Sequence, residues 1–480
     1  MKIKRSLYAL LIALFATIMI ACGGNGNEGG NSDELPADAT LQICVGSESV
    51  WYYQDILNQY VKDNNLPFKI KVTGVDTGKY TDSFLLDTSR GADIFVTAHD
   101  NLGKLLAGSG TISAITDEDL IDNIDETIDP IFQDVIYMSA GGGQPQYYAV
   151  PIIKQALVLF YNKEYLSADD VTSWEKILEV AEANNKLATT YVGSDGFNYS
   201  HWLLAQPSND AAKTAFGKKG TLELFKGGLW AGNMAWGDDQ VAISKYAQRF
   251  TNNTYGRNGA VVGLSGFESE LKAGQVITVV AGAWNYGTID DAWNDYGVAV
   301  LPKFTLTEAD AYGKAVAGME FRSGSFYDVK CLVKKKDSMF AKYLDDILLF
   351  LSSDKVQEAS YIYCNNLPAS ENVSLEYDED YIEENYDIDD VSYYHELALA
   401  QISQGTLAGT PQPFGFNKDY NPAYYSEGAA HFIELHQNKD DEFGSNEAIV
   451  SKLQLISYSW AHNKKPAGTE LADWLASLSK

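Results

Sequence analysis

The chain has 480 residues, 45% hydrophobic and 21% charged, a globular composition long enough for two or three folding units. Lys and Arg number 36 against 65 Asp and Glu, and the resulting net charge of -29 repels phosphate backbones, which argues against nucleic acid as a partner. A mean hydropathy of -0.20 excludes a polytopic membrane protein. The stock of 30 Tyr and 9 Trp supplies many rings with one polar edge.

In chain order, the first signal is one of export. Lys2, Lys4 and Arg5 precede an apolar run from Leu7 to Ile20, a charged n-region and an h-region too short to span a bilayer as a permanent helix. It ends in Met19-Ile20-Ala21-Cys22, which looks like a bacterial lipobox. Residues 1–21 are therefore expected to be a signal peptide, and Cys22 to be lipidated and become the new N-terminus. Residues 22–40 are rich in Gly, Asn and acids with little to bury, which predicts a flexible tether. The expected address is the extracellular face of the bacterial cell membrane, held by a lipid anchor. Three further cysteines, Cys44, Cys331 and Cys364, form no CxxC pair and are too few for a disulfide framework. The apolar runs around Cys44 and Cys331 predict buried thiols.

From Leu41 onward, short β-rich runs alternate with amphipathic stretches. The run 41–45 reads as a strand, and Tyr53, Ile56, Leu57, Tyr60 and Val61 recur at helical spacing. Strands are predicted at 69–75, with basic residues on one face, and at 92–98, with a helix near 102–106. Residues 149–162, 276–284 and 296–301 are further strand candidates, and long helices are predicted at 174–185 and 338–361. The acidic, Tyr-rich stretch from Glu376 to Tyr394 reads as an insertion or surface loop. This β-α-β-α order predicts an α/β fold of two lobes, each a mostly parallel sheet flanked by helices.

Catalytic patterns fail. There is no GxxxxGK[ST], and Gly263-Leu264-Ser265-Gly266-Phe267 lacks the final Gly of a nucleophile elbow. Six His are scattered without an HExxH, and the acidic runs lack the Gly and terminal Glu of a calcium loop. Neither a cofactor nor a metal ligand set is expected. The spatial separation of carboxylates is invisible in a sequence, so a surface glycoside hydrolase stays open as an alternative.

Two strand ends do stand out. Thr97-Ala98-His99-Asp100-Asn101 follows ADIFV, and Gly282-Ala283-Trp284-Asn285-Tyr286 follows VITVV. Ligands of open α/β sheets bind beyond the carboxyl ends of the strands, so Asp100 and Asn101 are placed to exchange hydrogen bonds with hydroxyls. Aromatic rings such as Trp284 can stack on the apolar face of a sugar, although Trp284 alone also fits a packed core position. Uncharged polyols suit that pairing.

Further blocks follow in order: Gly91-Ala92-Asp93-Ile94-Phe95 with Ala98-His99-Asp100, Ala107-Gly108-Ser109-Gly110, Tyr148-Ala149-Val150-Pro151-Ile152, Tyr161-Asn162-Lys163, Trp174-Glu175, and Tyr296-Gly297-Val298-Ala299-Val300-Leu301-Pro302. With these blocks, from about 41 to 370, the chain resembles the maltose/maltodextrin-binding proteins of bacterial ABC importers. The resemblance implies a periplasmic-binding-protein-like fold with the ligand cleft between the lobes, and binding without chemistry. It implies a neutral oligosaccharide, a maltodextrin, as ligand, a membrane permease of an ABC importer as partner, and a monomer. It places the family's sugar-hydroxyl acid on Asp100, with Asn101 in place of a cationic ligand and Thr97 in place of a Trp. A family Glu falls on Gln155, the stacking Trp on Trp284 and its aromatic neighbour on Tyr286. Glu48 aligns near a first-loop Asp, Tyr199 matches a stacking Tyr, and Phe414 or Phe416 stands for a C-terminal stacking ring, Phe416 being the choice carried forward. The implied lobes are 41–153 plus about 325–372, and 154–324 plus about 373–480. Another neutral oligosaccharide, xylo- or galacto-type, is the alternative ligand.

Overall fold

The computed structural model describes residues 35–36, 38–107, 110–140, 143–192, 196–208, 235–257, 264–411, 445–462, 464 and 466–478. The first strands and helix follow the sequence pattern closely. Strand β1 (Thr40–Gly46) leads through a short turn into helix α1 (Val50–Asp63), which buries Tyr52, Tyr53, Ile56 and Leu57. Strand β2 (Lys69–Val75) alternates exposed Lys69 and Lys71 with buried Ile70 and Val72, as a half-buried strand of period two should. Strand β3 (Ile94–Ala98) is buried at every position.

The predicted strand at 149–162 is two strands in two different sheets. Strand β4 (Val150–Ala156) belongs to the first sheet and β5 (Val158–Asn162) to the second, with only Leu157 between them. Helix α2 (Trp174–Ala183) starts where Ser173 accepts a hydrogen bond from the Lys176 N–H. The 276–284 run contributes strand β6 (Thr278–Ala281) and a one-turn helix at Ala283–Asn285, and strand β7 (Tyr296–Ala299) follows. Strand β8 (Ser325–Lys334) is the longest in the chain's described part. The helix predicted over 338–361 is broken at Ser353, whose extended backbone (ψ 147) separates α3 (Ala341–Ser352) from α4 (Asp354–Cys364).

The first sheet runs in the order β2, β1, β3, β8, β4. Strands β1, β2 and β3 pair in parallel, and β8 runs antiparallel to β3 and β4, so β4 shares the direction of the parallel three. In the second sheet β5 lies between β6 and β7 and is antiparallel to both, and residues 187–190 add parallel bridges beside β6. The fold is the α/β arrangement with two principal sheets that the sequence predicts; the first is mostly parallel as expected, while in the second β5 runs antiparallel to both its neighbours.

The Glu376–Tyr394 stretch departs from expectation. It contains helix α5 (Glu379–Asn385), whose first turn is capped by Asp378 accepting from the Tyr381 N–H. Ile382 and Tyr386 are buried in the core of the first sheet, and Tyr377 and Tyr393 pack at its margin. Its tyrosines are used as packing surface against Tyr361 and Tyr363 of α4, which is why an acidic, polar-looking segment is not a free loop. The boundary drawn near 373 from sequence does not coincide with this packing.

Among the described residues, three connections pass between the cores. Leu157 joins β4 to β5, and its N–H donates to Ser325 Oγ (2.8 Å) at the start of β8. Strand β8 places Phe326 in the core of the second sheet and Val329 in that of the first. Helix α6 (His395–Ala408) likewise sends Ala398 into the first core and Leu397 into a cluster around the second sheet. Its buried Gln404 accepts from the Leu301 N–H (2.8 Å) and donates to the Ser323 carbonyl (3.1 Å), satisfying backbone groups where neither sheet can. Strand β9 (Gly409–Pro411) follows directly and pairs with residues 325–327.

Candidate functional site

Parallel strands end at the same edge, and the first sheet uses that edge for polar residues. Register pairs Cys44 of β1 with Phe95 of β3, so the turns after both strands emerge side by side. Glu48, exposed in the Ser47–Ser49 turn, and Asp100 with Asn101, in the His99–Asn101 turn, leave on this edge. Gln155 near the end of β4 is there too.

The edge of the second sheet faces it because of the chain crossing. Val158, the first residue of β5, pairs with Ala281, the last of β6. Gln155 and Val158 are three positions apart, on the order of 10 Å of strand, and so are Ala281 and Trp284. The carboxyl ends of β3 and β4 and the carboxyl end of β6 therefore lie on either side of the crossing, where the two sheets meet. Asp100, Asn101 and Gln155 stand on one side, Trp284 on the other.

Trp284 belongs to neither core and is 47% exposed. Its indole folds over Gly282, so closely that a Cβ there would lie 2.2 Å from the ring. The Gly before it is thus what allows a large ring to lie flat at a strand end. Tyr286 is half-buried and packs edgewise with Tyr296 (6.4 Å between ring centres) and at a tilt against Tyr394 (5.8 Å).

The Asp100 turn is built on buried charge. His99 Nδ1 lies 2.7 Å from Asp328 Oδ1, with both side chains buried, and Lys330 Nζ lies 3.3 Å from Asp328 Oδ2. Burial alone would raise the Asp328 carboxyl, but the Lys330 ammonium and the His99 hydrogen bond outweigh it and hold Asp328 below the usual range. His99 then donates from Nδ1. Asp100, 9% exposed, goes the other way: burial first, and then the Asp328 charge, push its carboxyl up to about 6 against weaker pulls from His99, Lys330 and Lys104. Asn101 Nδ2 donates to Asp100 Oδ1 (3.2 Å), orienting the carboxylate. Gln155 faces Asp328 directly across the β4–β8 ladder, and its buried Oε1 has no hydrogen-bond partner among the described residues. A buried amide oxygen left open and a buried carboxyl are both groups that can accept hydrogen bonds from hydroxyls.

Of the residues singled out in the sequence, Cys22, Phe414 and Phe416 lie outside the described residues, and so does the side chain of Tyr199, whose backbone belongs to the Gly196–Leu203 helix. The sequence reading missed Asp328 and Lys330. Their signal was an ion pair inside SFYDVKCLV, a run otherwise built for a buried strand. Cys44, Cys331 and Cys364 are free thiols, the first two buried as predicted. Among the described residues no group of three His, Cys, Asp or Glu could hold a metal ion, and no helix is long and apolar enough to cross a membrane.

A two-sheet α/β chain with polar and aromatic residues collected at facing strand ends defines a two-lobed binding protein. The family model for the bacterial extracellular solute-binding protein matches residues 55–387, and the chain belongs to that family, whose members bind and do not catalyse. It is 23% identical over 391 residues to a maltooligosaccharide ABC transporter solute-binding lipoprotein of Streptococcus pneumoniae, covering 75% of this chain and 79% of the relative. Identity is 22% over 375 residues to the maltodextrin-binding protein MdxE of Bacillus subtilis, covering 76% and 80%. Among solved structures, an unliganded maltodextrin-binding protein of L. casei BL23 superposes with a TM-score of 0.64 at 17% identity, covering 89% of this chain and 100% of that one. A cyclo/maltodextrin-binding protein complexed with maltotetraose gives 0.60 at 16%, covering 92% and 100%. These likenesses bear out the two-lobed fold.

Proposed function

We propose that this protein captures malto-oligosaccharides between its two lobes and delivers them to the permease of an ABC importer, from a lipid anchor at Cys22 on the outer face of the membrane. The single observation that carries the reading is the facing of strand ends: Asp100, Asn101 and the open Gln155 oxygen on one side, half-exposed Trp284 on the other. Carboxylate and amide oxygens accept from sugar hydroxyls, while the indole covers the apolar face of a glucose ring. The curated relatives bear names of the same ligand class and transport system. Glu48, at the same edge, adds a carboxylate, and Tyr286 backs the aromatic side; Tyr199 and Phe416 are proposed as further stacking rings.

In this reading lobe 1 comprises 41–153 and about 325–393, the second segment being extended because Ile382 and Tyr386 pack in the first core. Lobe 2 comprises 154–324 and the remainder. Closure about Leu157, β8 and α6 would bury the sugar and shield its hydrogen bonds from water. The direct test is intrinsic fluorescence. Maltotriose is expected to shift tryptophan emission saturably to the blue as it covers Trp284, and the shift should vanish in Trp284→Ala. An emission spectrum indifferent to every neutral oligosaccharide would overturn the proposal.

A further inference from the structure

We propose that Asp328 is a positioning residue of the sugar site: its carboxylate, clamped between His99 and Lys330 on a strand shared by both cores, holds the turn that presents Asp100 and Asn101. The inference rests on reading the cleft as a sugar site. Asp328 is 3% exposed and cannot itself be the ligand's main contact. Its place explains its presence. Asp328 and Lys330 share one face of β8, while Val329 and Cys331 turn the other way into the first core. A carboxylate buried there is costly unless paired, and an apolar residue would be the cheaper core choice. The pairing partner is His99, the residue before Asp100, and the cross-strand neighbour is Gln155 with its open oxygen. Asp328 therefore holds the residue before Asp100 and stands opposite Gln155 in the ladder.

The groups facing Asp100 can be named from each element around it. Asp328 and Lys330 come from β8, whose Cys331 thiol lies on the core side but within electrostatic reach, and His99 and Asn101 come from its own turn. Lys104 comes from the short helix after the turn and is itself paired with Asp82 (2.9 Å). Removing the negative neighbour should make Asp100 ionise at lower pH, and removing the positive Lys330 should do the reverse. These shifts test the charge coupling between Asp328 and Asp100, and recovery of affinity by the conservative Asp328→Asn variant tests the positioning role.

The test uses the mature chain with Asp328→Ala, Asp328→Asn and Lys330→Gln. Ionisation of Asp100 is followed in ligand-free protein by carbon-13 NMR of labelled aspartate carboxyls, its signal assigned by its loss in Asp100→Asn. Maltotriose affinity is measured in the alkaline limb, where Asp100 is ionised in every variant. The expected result is a lower Asp100 midpoint in both Asp328 variants and a higher one in Lys330→Gln. Asp328→Ala should lose about tenfold in affinity, the equivalent of one charge-assisted hydrogen bond, and Asp328→Asn, which keeps an acceptor for His99, should recover most of it. Midpoints that stay together, or an Asp328→Ala affinity equal to wild type, would overturn the proposal. Should Asp328→Ala fail to fold, Asp328→Leu takes its place in the affinity measurement, and an affinity equal to wild type there overturns the proposal. If the wild type takes no maltotriose while the midpoints still diverge, the sugar reading fails and the link from Asp328 to Asp100 stands.

Discussion

Truncating Trp284 to Ala isolates the aromatic side of the cleft. A tryptophan side chain offers about 250 Å², and at 47% exposure about 120 Å² of it faces solvent. A sugar stacked on one face would cover about half of that, and at about 25 cal/mol per Å² the loss is about 1.5 kcal/mol, or about tenfold in affinity. Stacking geometry adds on the order of 1 kcal/mol, so tenfold is the lower bound. Because the ring is in neither core, the fold should lose less than about 1 kcal/mol. Gly282→Ala is the complementary perturbation. The Gly282 backbone (φ -96) accepts an alanine, but the new Cβ would sit 2.2 Å from the indole and must displace it. Calorimetry with maltotriose should therefore show both variants weakened about tenfold or more with melting temperatures near wild type. Undiminished affinity in Trp284→Ala, or weakening in Gly282→Ala alone, would refute the stacking role.

Other outcomes follow from the same geometry. Asp100, raised to about 6, binds its proton more tightly folded than unfolded, so that its contribution to stability appears only as pH falls through about 6 and is missing at neutral pH. Asp100→Asn should thus raise the melting temperature at neutral pH while abolishing most sugar affinity, and the gain over wild type should close as pH falls from about 6 towards the unfolded carboxyl value of about 4; a gain that widens on acidification would contradict this. Gln404→Leu leaves the Leu301 N–H and the Ser323 carbonyl without their partner, and urea unfolding should show a loss of about 2–5 kcal/mol, a loss under about 1 kcal/mol counting against Gln404 as the partner these backbone groups depend on. Cys22→Ser should abolish incorporation of labelled palmitate in the producing cell and release the chain from the membrane fraction; retained label would place the anchor elsewhere.

The sequence made the architecture legible where periodicity was unambiguous. Lys69-Ile70-Lys71-Val72 could only be a half-buried strand, and the Tyr53–Val61 pattern only a helix. It was less legible where one pattern serves two structures. The apolar run 149–162 carries no mark at Leu157 that the chain leaves one sheet for another, since both strands are equally buried. The acids of 376–394 read as solvated surface, yet its tyrosines spend their rings on the first core. Asp100 and Trp284 were visible because a polar or aromatic residue just after a buried strand has few structural reasons to be there. Asp328 was hidden for the opposite reason: it lies inside its strand, and only the pairing with His99, 229 positions away, gives it a role.

The most direct test of the account is calorimetric titration of the mature chain, from about residue 36, with maltose, maltotriose, maltotetraose, maltoheptaose and xylotetraose. The account predicts saturable one-to-one binding of the malto-series, lost in Asp100→Asn and weakened in Trp284→Ala, and no heat from xylotetraose. Silence across the malto-series, whether or not xylotetraose binds, would contradict it.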